Sequence, residues 1–136
     1  MNELTTGDVA RECAVSPDTI RYYEKRGAIT AARSGGGMRM FDRATIRRVR
    51  VIRNAIAIGF TIDELLRFFA DKRDGRPPCR RVRAAAAEKL AALDQKIDEM
   101  QQLRAEMAEI LRDWDSRLEN GEPAHLLESI PERRKR

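Results

Sequence analysis

The chain has 136 residues, with 27 Lys/Arg against 22 Asp/Glu for a net charge of +5. That is room for one modest core with an appended element, and too little for two domains of ordinary size. Two cysteines and one histidine exclude a disulfide framework and a four-cysteine iron–sulfur centre. No nucleophile–His–carboxylate set or phosphate loop is visible either, which makes an enzyme the weakest reading. No apolar run approaches the length needed to span a bilayer, and the opening MNELTTGD lacks a basic stretch followed by an apolar one. Together these point to a cytoplasmic protein with no membrane partner.

The charge is placed unevenly. Residues 1–81 carry 17 Lys/Arg against 10 Asp/Glu, residues 82–132 carry 6 against 12, and the chain closes on RRKR. A basic half of this kind is the footprint of a nucleic-acid binder, because cations that displace counterions from phosphates gain affinity without any base contact.

In chain order, Thr5-Thr6-Gly7-Asp8 has the spacing of a capping box, and Val9, Ala10 and Cys13 form a short apolar stripe, predicting a helix to about residue 14. Val15-Ser16-Pro17 breaks it. Ser16 can cap a second helix that tolerates Pro17 in its first turn and runs to residue 26, where Gly27 stops it. Two short helices joined by a tight turn make a helix-turn-helix unit. The stretch RSGGGMRMF, residues 33–41, reads as a small β-hairpin or wing whose turn is bracketed by Arg33 and Arg39.

Asp42 can cap a third helix to about residue 58. Ile46, Val49, Ile52 and Ile56 share one face of it, and Arg43, Arg47 and Arg50 lie on the opposite one. Thr61-Ile62-Asp63-Glu64 is a second capping box, opening a fourth helix with Leu65, Leu66, Phe68 and Phe69. Beyond the break at residues 74–78, apolar residues from Val82 through Leu90, Ile97, Leu103 and Ile110 to Leu118 recur at three- and four-residue steps. A helix over residues 78–118 would be roughly 60 Å long. Its stripe is too long to bury on so small a head, so the predicted partner is the same helix of a second copy, antiparallel. The alternative, folding back within one chain, lacks a second helix of matching length.

The expected fold is therefore mainly α. A winged helix-turn-helix DNA-binding head occupies residues 1–74 and a dimerisation helix residues 77–118, forming an antiparallel coiled coil in the homodimer. Residues 119–136 form an effector-loop-like segment and basic tail. A dimer of such heads places the second helix in two successive major grooves of double-stranded DNA. Candidate contacts are Thr19, Arg21, Tyr22, Tyr23 and Arg26 on that helix, Arg33 and Arg39 in the wing, and Arg43 and Arg47 on the third helix. Tyr23 shares a face with Ile20, so its ring packs either in the core, with the hydroxyl outward, or on DNA.

The order LTTGDVARECAVSPDTIRYYEKRGAI, SGGGMRMFD, IRRVRVIRNAIAIGFTIDEL and AHLLESI resembles the MerR family of bacterial transcription regulators, in its metal-sensing branch, over about residues 3–130. The resemblance implies a homodimer bound to an inverted repeat in an over-long promoter spacer. Such a dimer regulates RNA polymerase by bending and untwisting the DNA, at a deformation cost of several kcal/mol, on the order given by DNA stiffness. It also implies helix contacts from Arg21 and Tyr23, a wing contact from Arg39 and a backbone contact from Arg53, with Tyr22, Thr19 and Arg33 as weaker matches. One departure is Gly37-Met38-Arg39, where relatives read Gly-Tyr-Arg.

The resemblance further implies a metal ligand at Cys79, at the N-terminus of the long helix, where the helix dipole favours an anion. Where relatives carry further cysteines, this chain has Trp114 and His125. One thiol and one imidazole suit Zn2+ or another borderline divalent metal better than mercury, cadmium or copper(I). The expected site joins Cys79 of one chain to His125 of the other, with Asp113 or Asp115 nearby. Two alternatives are a thiol-reactive or small organic effector near Cys79 and Trp114, and an architectural DNA binder with no effector.

Overall fold

A computed structural model describes residues 3–33, 36–121 and 125–132. The described elements are α1 (Thr6–Cys13), α2 (Pro17–Lys25), β1 (Ala32–Arg33), β2 (Arg39–Met40), α3 (Ala44–Ala57), α4 (Ile62–Arg73), α5 (Cys79–Glu119) and a 3-10 turn, Leu127–Ser129. The chain divides into two compact units, residues 1–86 and 87–136.

In the first unit the local signals act where the sequence puts them. Thr5 Oγ1 accepts the Asp8 amide and the Asp8 carboxylate accepts the Thr5 amide, completing the first capping box. The hydrogen bond from the Thr5 amide is the main cause of the lowered Asp8 pKa. Ser16 caps α2 through the Thr19 amide, and Thr61 and Glu64 cap α4 reciprocally. Asp42 Oδ1 accepts the Thr45 amide at 3.2 Å, serving the start of α3 from just outside it. Between α1 and α2 the chain turns through Ala14 in the left-handed region, at φ 55 and ψ 45, and Gly27 leaves α2 at φ 79. The left-handed conformation suits glycine and strains alanine, whose Cβ crowds the following carbonyl.

The helices and hairpin enclose a core in which Val9, Ile20, Phe41, Val49 and Ile52 are fully buried, with Ala28, Ile29, Phe60, Leu65 and Phe68 around them. Each such large side chain contributes about 1.5–3 kcal/mol of burial free energy. β1 and β2 pair antiparallel, with Ala32 opposite Met40 and Arg33 opposite Arg39. An extra bridge, Leu4 to Phe41, stitches the segment before α1 to the foot of the wing. The expected face of α3 holds for Ile46, Val49 and Ile52, but Ile56 is 40% exposed. One turn past Ile52, Ala55 and Phe60 close this end of the core instead.

α5 enters from this unit. Val82 and Ala85 pack against the head core, and Arg81 is ion-paired with the largely covered Asp71 of α4. In the second unit the same helix has no buried residue; Leu90, Leu93, Ile97, Met100 and Met107 are all about half exposed or more. After the helix, residues 125–132 return through the 3-10 turn. There Ser129 Oγ accepts Trp114 Nε1–H at 3.0 Å and donates to the Leu126 carbonyl at 2.7 Å. No described helix is long and apolar enough to cross a membrane.

Candidate nucleic-acid interface

The candidate recognition surface starts from how α2 is divided. Ile20 and Tyr23 face inward, so the 3.6-residue period turns Asp18, Arg21, Tyr22 and Lys25 to solvent. Tyr23 is 6% exposed, which places its ring in the core, and burial raises the pKa of its hydroxyl. Thr19 is half-buried at the helix start, its hydroxyl 2.9 Å from Ser16 Oγ. Tyr22 lies outside, 45% exposed, with the Arg26 guanidinium 5.8 Å from its ring centre and Arg26 NH1 donating to its hydroxyl at 2.9 Å.

Most candidate arginines already have acceptors within the head. Arg21 NH1 pairs with Asp18 at 2.6 Å one turn earlier on α2. Arg26 is bound to Asp63 in the first turn of α4; that hydrogen bond raises its pKa and ties the end of α2 to α4. Arg39 Nε meets Glu24 Oε1 at 2.6 Å, joining the wing to α2. Arg33 NH1 donates to the Gly37 carbonyl at 3.1 Å, bracing the wing turn, where Gly37 has φ 82. Ser34 and Gly35 of that turn lie outside the described residues.

On α3, Arg43 approaches Glu12 at 3.4 Å, and Arg47 is exposed with no partner among the described residues. Arg50 and Arg53 donate to the Glu12 and Cys13 carbonyls at 3.4 and 2.5 Å. These carbonyls belong to the last turn of α1, which lacks helical partners, so α3 caps α1 with guanidinium groups that also oppose its C-terminal dipole. Arg53 is thus a brace of the helix-turn-helix as well as a surface cation.

Sequence reasoning passed over Arg48. It stacks 3.4 Å above the Phe69 ring and donates to the Ala28 carbonyl at 3.2 Å, while desolvation lowers its pKa. It binds α3, α4 and the chain leaving α2 into one body. The carboxylates Glu12, Glu24 and Asp63 were also unassigned. The Asp18–Arg21 pair, like Asp8–Arg11 on α1, stands at helical i,i+3 spacing and carries a local signal.

The residues expected to meet an effector lie apart from this surface in sequence. Cys79 is exposed at the first position of α5, and its thiol is free. His125 is exposed with φ 40. Among the described residues no three His, Cys, Asp or Glu side chains gather to hold a metal. Trp114 is half-buried and committed to Ser129. A groove of ≈ 830 Å³ in the second unit is lined by Leu103, Met107 and Ile110 with Glu106, Asp113 and Ser129 among its polar residues; Trp114 is not part of its wall. The basic tail from residue 133 and residues 122–124 of the preceding loop lie outside the described residues.

A capped helix-turn-helix, a two-stranded wing and an arginine-bearing surface across α2, the wing and α3 define a winged helix-turn-helix DNA-binding regulator. Residues 4–72 match the family described as MerR HTH family regulatory protein, and residues 46–110 match the one described as MerR, DNA binding. The chain belongs to the MerR family. It is similar to the HTH-type transcriptional regulator ZntR of Escherichia coli K12, at 29% identity over 100 residues, covering 72% of this chain and 71% of that one. Among solved structures it is similar to the transcription regulator PbrR691 from Ralstonia metallidurans CH34 in complex with lead(II). There the TM-score is 0.70 and the identity 25%, over 81% of this chain and 86% of that chain. HiNmlR, a MerR family regulator lacking the sensor domain and bound to promoter DNA, shares the fold at TM-score 0.57 and 17% identity, over 96% and 98% of the two chains. The protein is a DNA-binding transcriptional regulator, and its relatives are regulators, not enzymes.

Proposed function

We propose that the protein acts in the cytoplasm as a homodimer on a palindromic promoter spacer, with residues 1–74 as the DNA-binding head and residues 77–118 as the dimerisation helix. Residues 119–136 are its effector-loop-like segment. The observation that carries this reading is the division of α2: Ile20 and Tyr23 anchor it while Arg21 and Tyr22 stand outside. Arg39 extends that surface from the wing and Arg43, Arg47 and Arg53 extend it from α3. Phosphate contacts from the arginines fix register and Arg21 reads a base edge, while the dimer distorts the promoter for RNA polymerase. The half-exposed apolar row on α5 supports dimerisation, since a second copy is the economical way to cover it.

The effector reading rests on the second copy as well. The described residues of one chain gather no metal cluster, so in this reading Zn2+ or another divalent metal is held by Cys79 together with His125 of the partner subunit. The kinship with the lead-bound PbrR691 supports metal responsiveness, while the scarcity of thiolates disfavours soft metals. An equilibrium zinc titration of the reduced protein against a competing chelator, with Cys79→Ser alongside, tests it. Tight binding lost in the variant is the expected result; no binding by either protein removes metal sensing through Cys79 and leaves a thiol-reactive or organic effector. DNA binding is tested separately, by selecting duplexes from a random library with the wild-type protein. Recovery of an inverted repeat supports the regulator reading, and recovery of no preferred sequence replaces it with an architectural binder.

A further inference from the structure

We infer that Glu24 is a specificity-determining residue of the DNA-binding head, positioning Arg39 and making DNA phosphate compete with a carboxylate for it. The inference rests on Arg39 being a DNA contact. Glu24 sits in the last turn of α2 with its side chain 21% exposed, and Arg39 lies in β2 with its side chain 46% exposed. Their bond uses Nε of the guanidinium at 2.6 Å. A guanidinium has five N–H donors in a fixed planar fork, so a partner on Nε leaves the terminal nitrogens for a second acceptor while setting the plane in which they lie. Glu24 therefore ties the angle of the wing fork to the helix that enters the major groove.

This arrangement separates two kinds of DNA encounter. On the correct site, α2 and the wing must engage at once, and an Arg39 already oriented from α2 loses little freedom on binding. On arbitrary DNA, where affinity is phosphate neutralisation alone, the negative charge of Glu24 lowers the attraction and holds the arginine back. The other pairs on this surface do not combine these features. Asp18 and Arg21 share one helix and are both well exposed, Glu12 meets Arg43 only at 3.4 Å, and Arg26 pairs with an Asp63 that is itself mostly exposed. Removing the Glu24 charge thus frees a cation for every duplex and loses its aim for the correct one.

The experiment compares wild type, Glu24→Gln, Glu24→Asp and Asp74→Asn by equilibrium binding to two probes over a range of salt. One probe is the inverted repeat that the wild type selects from a random library; the other is a scrambled duplex of the same length. Asp74→Asn makes the same charge change in the same unit, on the exposed C-cap of α4. Glu24→Gln is expected to bind the scrambled duplex more tightly, with a salt slope steeper by about one. Its ratio of selected to scrambled affinity should fall at least about tenfold. Glu24→Asp should restore the wild-type slope while recovering the ratio only in part, and Asp74→Asn should keep the ratio. An unchanged slope and ratio in Glu24→Gln overturn the inference. So does an equal loss on both probes with a lowered melting temperature, which is the mark of a structural role only. If the wild type selects no inverted repeat, the regulator reading fails, and the slope on the scrambled duplex still decides whether Glu24 restrains Arg39.

Discussion

The head and the second unit use apolar residues in opposite ways. In the head, Val9, Ile20, Val49 and Ile52 are sealed from solvent by α1, α2 and α3 within one chain. Along α5 in the second unit, Leu90, Leu93, Ile97, Met100 and Met107 repeat with similar regularity, yet each stays about half exposed or more. Apolar periodicity does not separate the two regions; the availability of a covering element among the described residues does. The described head buries its apolar residues within itself, whereas the α5 row is left open by the described residues of this chain. If the proposed dimer forms through that row, DNA contact and subunit association fall to different units, and the fold of each can be broken without unfolding the other.

The largest effect is expected from charging the α5 row. Ile97→Glu combined with Met100→Glu places carboxylates where the proposed partner helix packs. The expected product is a monomer by sedimentation equilibrium, its head still folded by circular dichroism. Its affinity for a two-half-site duplex should fall by about 100- to 10,000-fold, because the second head no longer binds intramolecularly. A dimer that survives both substitutions would mean that the row is not the seam. The counterpart in the head is Ile52→Ala, which removes buried volume that no neighbour can refill. It should cost about 2–5 kcal/mol in denaturant unfolding of the head and leave self-association of α5 intact. Between subunit and core lies Arg21→Ala. Its intrahelical pair with Asp18 is exposed and contributes little to stability, so the melting temperature should hold while binding to the selected site weakens by about 1–3 kcal/mol. Equal binding of both proteins to that site would remove Arg21 from the base-reading set.

These experiments follow a line between what local sequence could and could not specify. Caps are decided within four residues, so Thr5 with Asp8, Ser16 with Thr19 and Thr61 with Glu64 were legible, as were the two-helix turn, the hairpin and the span of α5. Positions decided by what packs opposite were not. Ile56 has the right helical phase and still lies open, because the core closes through Ala55 and Phe60. The arginines could be named as basic surface, but not their acceptors: Glu24 for Arg39, Asp63 for Arg26 and the last carbonyls of α1 for Arg50 and Arg53 all come from other elements. Arg48 read as one more cation on an arginine-rich helix, and only the fold turns it inward onto Phe69. The same limit applies to Cys79 and His125, whose separation in sequence carries no signal of whether they meet.

The smallest effect is expected in the second unit, where one hydrogen-bonded pair holds residues 125–132. Trp114 is the only tryptophan, so its emission reports on that pair alone. Ser129→Ala removes the acceptor of the indole N–H and the donor to the Leu126 carbonyl together. The indole is half-buried, so water can take up part of the lost bonding, and the net cost should be about 0.5–1.5 kcal/mol. Because the substitution touches neither the head core nor the most exposed part of the α5 row, DNA affinity and subunit association should stay at wild-type values. Trp114 emission should shift to longer wavelength, and amide exchange in residues 125–132 should quicken. Unchanged emission and exchange would show that the return of the chain onto α5 does not depend on the serine that bridges it.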